Sequence, residues 1–268
     1  MPLGPLSILT NMKQARPNAF TLIELLVVIS IIALLTGILI PSLIAAKDAA
    51  RSAQCLSNLH NLGVAMGLYT FDNQEYYWPY RLDNYPQAGT KCYFWGTDSD
   101  PVDTRPSPFM KYCKSGLKSF WCPSLEWGSY TTEGTYVKER TTTYGYNMKF
   151  LHNADMIVNK KPLAKRTGEI PKPIELFVFG DTAMVVKGVK GKQVFMNNTV
   201  MEPVEIDRGP NLPPLPTNLP TNHFRHRGRT NILTADGRAS SFLSENGAVD
   251  AKTKLGVVGT QNAPHYSQ

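Results

Sequence analysis

The sequence predicts an α+β protein in which one long N-terminal helix packs its second half on a small antiparallel β-sheet with long loops. Three observations predict it: an uncharged, largely aliphatic run from Leu25 to Ala46, a helical stripe continuing it to about Phe71, and a remainder rich in Gly, Pro and short apolar runs. With 42% hydrophobic and 18% charged residues, the 268-residue chain is in the globular range, and 20 Gly with 20 Pro exclude an all-helical bundle. The formal charge of +7 comes from scattered Lys and Arg with no dense tract, which is weak support for a nucleic-acid or lipid partner. Cys55, Cys92, Cys113 and Cys122 include no C-x-x-C pair, so neither a zinc ribbon nor a thioredoxin-type site is indicated.

The run from Leu25 to Ala46 is long enough as a helix to cross a hydrocarbon core of roughly 30 Å. It is too long for the apolar part of an ordinary secretory signal, and it continues into an amphipathic segment. Lys13 and Arg16 precede it, which favours a cytoplasmic N-terminus with everything after the span outside. That compartment permits disulfides, and an even cysteine count is best explained by two bridges, with three pairings open. Ala49, Ala53, Leu56, Leu59, Gly63, Met66 and Tyr69 recur at spacings of three or four, as the packed face of the continuing helix. Fifty helical residues from Thr21 extend roughly 75 Å. Ala45, Ala46, Ala49 and Ala50 fit close helix packing or plain helix propensity equally well, and His60 reads as a surface or core-edge histidine.

Glu24 stands at the start of the apolar run, where an unpaired carboxylate entering the bilayer costs roughly 2.5 kcal/mol or more. Around it the chain reads Asn18-Ala19-Phe20-Thr21-Leu22-Ile23-Glu24-Leu25-Leu26. This resembles the signature of type IV prepilins and type II secretion pseudopilins, in which a basic leader ends at a small residue followed by Phe-Thr-Leu-Ile-Glu. The resemblance implies cleavage between Ala19 and Phe20 by a prepilin peptidase and N-methylation of Phe20. It also implies that Glu24 neutralises the terminal amine of a neighbouring subunit during assembly, two opposite charges being desolvated together. Pro41 falls where pilin helices commonly carry a kinking proline. Ala19 departs from the usual Gly. Short leaders of this type would start at Met12, which makes Met1 to Asn11 a candidate start-site misassignment.

The organisation that follows is a leader over 1–19, a membrane half of the helix over 20–46, an amphipathic half over 47–72 and a β-rich exterior domain over 73–268. Tyr76-Tyr77-Trp78-Pro79-Tyr80 reads as core aromatics seating the helix, in preference to a stacking platform for bases or sugars. Residues 80–144 read as a loop-dominated insert with little core of its own, holding Cys92, Cys113 and Cys122. Phe120-Trp121-Cys122-Pro123-Ser124 and Tyr144-Gly145-Tyr146-Asn147 look like elements of one pilin-like family. Glu175 to Asp181 reads as a strand ending in an exposed Asp turn, and Thr230 to Ala235 as a strand that turns at Asp236-Gly237 and returns over Arg238 to Phe242. Pro203 to Pro220 reads as an exposed extended loop.

His226, followed by Asp236-Gly237, resembles the H-X9-DG signature of a large group of pseudopilin-like proteins. His226, Asp236 and Asp181 could converge on a metal, with His223 a further candidate ligand, and major pseudopilins bind calcium through C-terminal loops. Calcium rarely uses imidazole, so the favoured reading is structural: a hairpin turn at Asp236-Gly237, a hydrogen-bonded His226 and no cofactor. His223, Arg225, His226, Arg227 and Arg229 form the one local basic patch, read as a charged hairpin surface over a site for DNA or an anionic glycan. No P-loop, paired-Glu or Ser-His-Asp pattern supports an enzyme. The expected protein is a single-pass inner-membrane pseudopilin with its domain in the periplasm or outside the cell. Its partners would be prepilin peptidase, other subunits and a secretion or pilus assembly platform. The alternatives are a type IV pilus subunit for adhesion or DNA uptake and a membrane-tethered binding domain that does not polymerise.

Overall fold

The computed structural model describes residues 21–85, 87–97, 102–125, 142–158, 161–187, 193–196, 222–244 and 254–256, with 201, 249 and 258. The leader, Ala19, Phe20 and the Pro203–Pro220 loop lie outside the described residues. The chain divides into two compact units at Ala46/Lys47, a boundary inside the first helix.

Helix α1 runs Leu22–Asp72 and includes Pro41 without a break in its assignment. Its N-terminus is closed by a capping box: the Glu24 N–H donates to Thr21 Oγ1, and the Thr21 N–H donates back to the Glu24 carboxylate. At the other end Asn73 Nδ2 donates to the Tyr69 carbonyl at 2.8 Å, occupying one of the acceptors that a helix leaves unpaired. Gln74 and Glu75 then take positive φ values of 55° and 68°, which turns the chain out of the helix.

In the second unit α1 buries Cys55, Leu59, Leu62, Met66 and Tyr69, spaced four, three, four and three residues apart. The expected face shares Leu59, Met66 and Tyr69 with this stripe, but Ala49 and Ala53 are exposed and Leu56 is only half-buried. The true face is centred about one residue earlier at its N-terminal end, because Cys55 is a core side chain there. Gly63 marks the closest approach of helix to sheet. A Cβ at that position would lie 2.9 Å from Leu233 Cδ1 and 3.3 Å from the Gly237 carbonyl oxygen.

After the helix come β1 (Arg81–Asp83), β2 (Lys91–Tyr93) and β3 (Gly96–Thr97), a small antiparallel sheet. The 3-10 turns Met110–Tyr112 and Gly116–Phe120 follow, then β4 (Tyr144–Tyr146) and the single-turn α2 (Met148–Leu151). Strands β5 (His152–Val158) and β6 (Lys161–Ala164) pair as a hairpin, β7 covers Phe177–Asp181, and β8 (Met184–Lys187) pairs with β9 (Gln193–Met196). The chain closes with β10 (Asn222–His223), β11 (Arg229–Thr234), β12 (Ala239–Leu243) and β13 (Leu255–Gly256). The central sheet has the order β12-β11-β7-β4 and is antiparallel throughout, with Ile232 opposite Gly180 and Tyr144 opposite Asp181. The expected α+β architecture is therefore present, including the return strand after Asp236-Gly237.

Alternation along β11 sends Leu233 to the main core under α1 and Ile232 to a second cluster with Phe177, Met201, Phe224 and Val258. The segment 80–144 departs from its expected character. Phe94, Phe109 and Phe120 are fully buried, and Phe94 meets both Phe120 and Phe179 at 5.4 Å between ring centroids. Its irregular backbone supplies aromatic anchors without any period that hydropathy could register. The post-helix aromatics do serve the core: Trp78 packs edge-on against Tyr69 at 5.2 Å, and Tyr146 Oη donates to the Trp78 carbonyl at 2.7 Å.

Candidate functional site

Two places carry chemistry, one in each unit. In the first unit, large apolar side chains from Leu22 to Ile44 are exposed, and this helix is long and apolar enough to cross a membrane. Glu24, also exposed, is the sole ionisable group between Thr21 and Ala46. Its Oε2 accepts from both the backbone N–H and the hydroxyl of Thr21, each at 2.8 Å, so the carboxylate is held at the helix N-terminus within its own first turn. Of the residues expected to act here, Glu24 and Pro41 are placed on α1, while the cleavage pair Ala19 and Phe20 lies outside the described residues.

In the second unit, Asp181 ends β7 as a fully buried residue, and not in the exposed turn expected for it. Its strand lies between β11 and β4, with Tyr144 of β4 opposite Asp181 itself. His226 reaches it from a tight turn in which Arg227 and Gly228 take φ values of 55° and 80°, as a type I′ turn requires at its two central positions. The turn is closed by the His226 N–H donating to the Arg229 carbonyl and the Arg229 N–H donating back. His226 Nε2 lies 3.0 Å from Asp181 Oδ2 and 3.4 Å from Cys122 Sγ. Cys55 Sγ, from α1, lies 3.7 Å from Asp181 Oδ1.

Around these four groups the supporting contacts are equally specific. The Asn231 N–H donates to Asp181 Oδ2 at 2.9 Å, and Arg225 Nε lies 3.6 Å from Asp181 Oδ1. Ser124 Oγ lies 3.2 Å from His226 Nδ1, and Tyr144 Oη donates to Cys55 Sγ at 3.2 Å. Burial alone would raise the Asp181 pKa, but the Arg225 charge and the His226 hydrogen bond hold it below the usual carboxylate value. Burial opposes the His226 cation, yet Asp181 and Cys122 together bring its pKa up to about 9. Burial and the Cys122 and Asp181 neighbours push the Cys55 thiol up, so Cys122 is the sulfur that ionises first, its pKa drawn to about 6 against burial by the Cys55 hydrogen bond, His226 and Arg225.

Several expectations are corrected by this geometry. Asp236 does not join His226 and Asp181: its carboxylate accepts from the Thr234 hydroxyl and from the Arg238 N–H and guanidinium inside the β11–β12 turn, where Gly237 takes φ 85°. Asp236-Gly237 is thus a turn element, as the structural reading of the motif has it. His223 is also outside the cluster, and its Nδ1 accepts from Arg225 Nε. The basic patch does not form one surface, because His223 and His226 are buried and the Arg225 guanidinium donates inward to the Thr182 carbonyl, leaving Arg227 and Arg229 exposed. All four cysteines are buried free thiols, so the two expected bridges are absent. Cys92 and Cys113 each donate to a nearby backbone carbonyl, of Tyr93 and Phe109, while Cys55 and Cys122 face Asp181 and His226. In the sequence Cys55 and Cys122 stand out only as disulfide candidates. Their separation along the chain follows no metal-binding spacing, and only the sheet brings them together.

Residues 15–40 match the family described as the prokaryotic N-terminal methylation motif. A relative described as type II secretion system core protein G from Aeromonas hydrophila is 34% identical over 65 residues, which is 24% of this chain and 46% of that protein. The type IV wide pilus major component PilA4 of Thermus thermophilus is 44% identical over 65 residues, 24% of this chain and 48% of the relative. A second core protein G, from Klebsiella michiganensis, is 34% identical over a segment of the same length. The chain spans about half the length of the curated relatives it matches. No solved structure matches it significantly.

Proposed function

We propose that this chain, whose residues 15–40 match the N-terminal methylation motif and whose N-terminal part is similar to pilins and pseudopilins, is a membrane-anchored structural subunit of a pseudopilus serving type II-type protein secretion. The observation that carries this reading is Glu24, a lone carboxylate capping a helix whose aliphatic side chains are exposed from Leu22 to Ile44. A helix with so much apolar surface outside its own fold needs lipid before assembly and neighbouring helices after it. The capping box gives Glu24 a local partner while it waits in the membrane. Exchange of that partner for the amine of a neighbouring Phe20 would create a desolvated ion pair, favourable only when both charges are buried together. This pairing selects head-to-tail addition, the symmetry of an open helical filament.

In this reading prepilin peptidase cuts between Ala19 and Phe20 on the cytoplasmic face, Phe20 is methylated, and the domain from Lys47 onward sits in the periplasm. The type IV pilus subunit is the second reading, supported by the 44% identity to a protein described as a pilus major component. Intact-mass and N-terminal peptide analysis of protein from its native membrane tests both. The expected chain begins at methylated Phe20; an uncut N-terminus overturns either filament reading and leaves a simple membrane anchor. Abundant surface filaments would replace the pseudopilus with the pilus.

A further inference from the structure

We propose that Cys55, Cys122, Asp181 and His226 are the four ligands of a structural zinc ion that fastens the second half of α1 to the central sheet. Each offers one ligand atom, and all four atoms lie within 4.8 Å of one another in the buried interior. The donor set of two sulfurs, one imidazole nitrogen and one carboxylate oxygen suits a borderline-soft ion and not calcium or magnesium, which select oxygen.

The spacing supports the same ion. Zinc bonds of about 2.3 Å to sulfur and about 2.0–2.2 Å to nitrogen and oxygen, directed tetrahedrally, set neighbouring ligand atoms about 3.2–3.8 Å apart. The observed separations are 3.0 Å from the imidazole nitrogen to Asp181 Oδ2, 3.4 Å from that nitrogen to the Cys122 sulfur and 3.8 Å from the Cys55 sulfur to the same oxygen. Packing alone has no reason to direct these four polar atoms at a common centre.

The surrounding contacts match what ligands of a metal receive. Ser124 Oγ meets His226 Nδ1, so the ring orientation that offers Nε2 to the centre is already fixed. The Asn231 N–H and the Arg225 guanidinium brace the Asp181 carboxylate. Charge also balances: two thiolates and one carboxylate against a divalent ion leave one negative charge, which the Arg225 guanidinium offsets. Four protein ligands leave no open position, so the site is closed and structural rather than catalytic. The ligands come from α1, the segment after Phe120, the end of β7 and the turn before β11, so one ion joins four elements that are distant in sequence. Such a site would form whether or not the chain polymerises.

The test uses the full chain, purified in detergent without chelators. Elemental mass spectrometry should find zinc at one ion per chain, and alkylation after denaturation should label all four cysteines. A strong chelator should lower the thermal midpoint of the exterior unit, and zinc alone should restore it. Zinc occupancy should fall at least about tenfold in His226→Ala but persist in His226→Cys, which keeps four donors. Folded wild-type protein that lacks zinc, that carries a different metal, or that yields a Cys55–Cys122 linked peptide would overturn the proposal. The wild-type measurements decide the matter even where a variant fails to fold.

Discussion

Between Leu22 and Ile44, α1 exposes large apolar side chains on every face, whereas between Cys55 and Thr70 it buries a regular stripe against the chain's own sheet. Helix propensity does not distinguish these halves. What differs is where the hydrophobic energy is realised: within the chain for the second half, and in lipid or in other subunits for the first. The same helix can therefore be a stable part of one fold and the adhesive part of another assembly. Substitutions should separate the two, with first-half changes altering assembly at constant domain stability and second-half changes doing the reverse.

Glu24→Val tests the first half. Removing a carboxylate from the edge of the span should leave membrane insertion intact, but under the proposed assembly role it deletes the partner of the neighbouring amine. A charge left alone in the bilayer costs roughly 2.5–3.5 kcal/mol, so crosslinked subunits should fall at least about tenfold while the thermal midpoint of the second unit is unchanged. Crosslinking at the wild-type level would sink the assembly role of Glu24.

Leu59→Ala and Leu39→Ala form the direct comparison. Leu59 is fully buried and Leu39 is 62% exposed. The Leu59 variant should lose about 2–5 kcal/mol in denaturant unfolding followed by tryptophan fluorescence, since Trp78 lies in the same core, while the Leu39 variant should stay within about 0.5 kcal/mol. Equal losses would mean that the two halves are not energetically separate.

How legible these halves were in the sequence follows from their physics. The span is visible because lipid selects for composition alone, and β11 with its return strand is visible because Asp236-Gly237 is a strong turn signal between apolar runs. The face of α1 was misplaced because Cys55 ranks as an ambiguous residue until the groups opposite it are known. The Asp181–His226 contact is legible only within the less favoured metal reading, and Asp236, the third member of that reading, is kept from it by the pairing of β11 with β12, in keeping with the favoured turn reading. Cys122 was hidden in a segment whose Gly and Pro content signals loops, although Phe94, Phe109 and Phe120 make that segment part of the core. Periodicity reports regular elements, and the interior cluster is built largely from their ends and from irregular chain.

Gly63 and Gly67, one turn apart in the second half, refine the comparison on a finer scale. A Cβ at Gly67 meets nothing within 4 Å, while one at Gly63 runs into Leu233 and the Gly237 carbonyl. Gly67→Ala should stabilise the unit by about 0.5–1 kcal/mol through helix propensity. Gly63→Val should destabilise it by about 1–3 kcal/mol, because the turn backbone has to move away. Thermal unfolding of both variants checks the pair, and a stabilised Gly63→Val would show that helix and turn are not in contact in solution.

Acid tests the comparison from the side of the second unit, since the span from Leu25 to Ala46 has no ionisable side chain. His152 is buried, with no hydrogen-bond partner for either ring nitrogen, and burial together with the Arg81 charge pushes its pKa from the ordinary 6.5 down to about 4, against the pull of Asp83. Between those values the unfolded chain takes up a proton that the folded chain refuses. Stability from this group is therefore complete above pH 6.5 and declines as the pH falls toward 4. The loss should be on the order of 1–2 kcal/mol once partial solvent screening is allowed for. His152→Leu removes the titrating group, so its unfolding free energy should fall less steeply between those pH values than that of the wild type, whatever its absolute stability. Parallel pH profiles for the two proteins would mean that His152 is already protonated in the fold, with a partner supplied by water or by a neighbouring subunit.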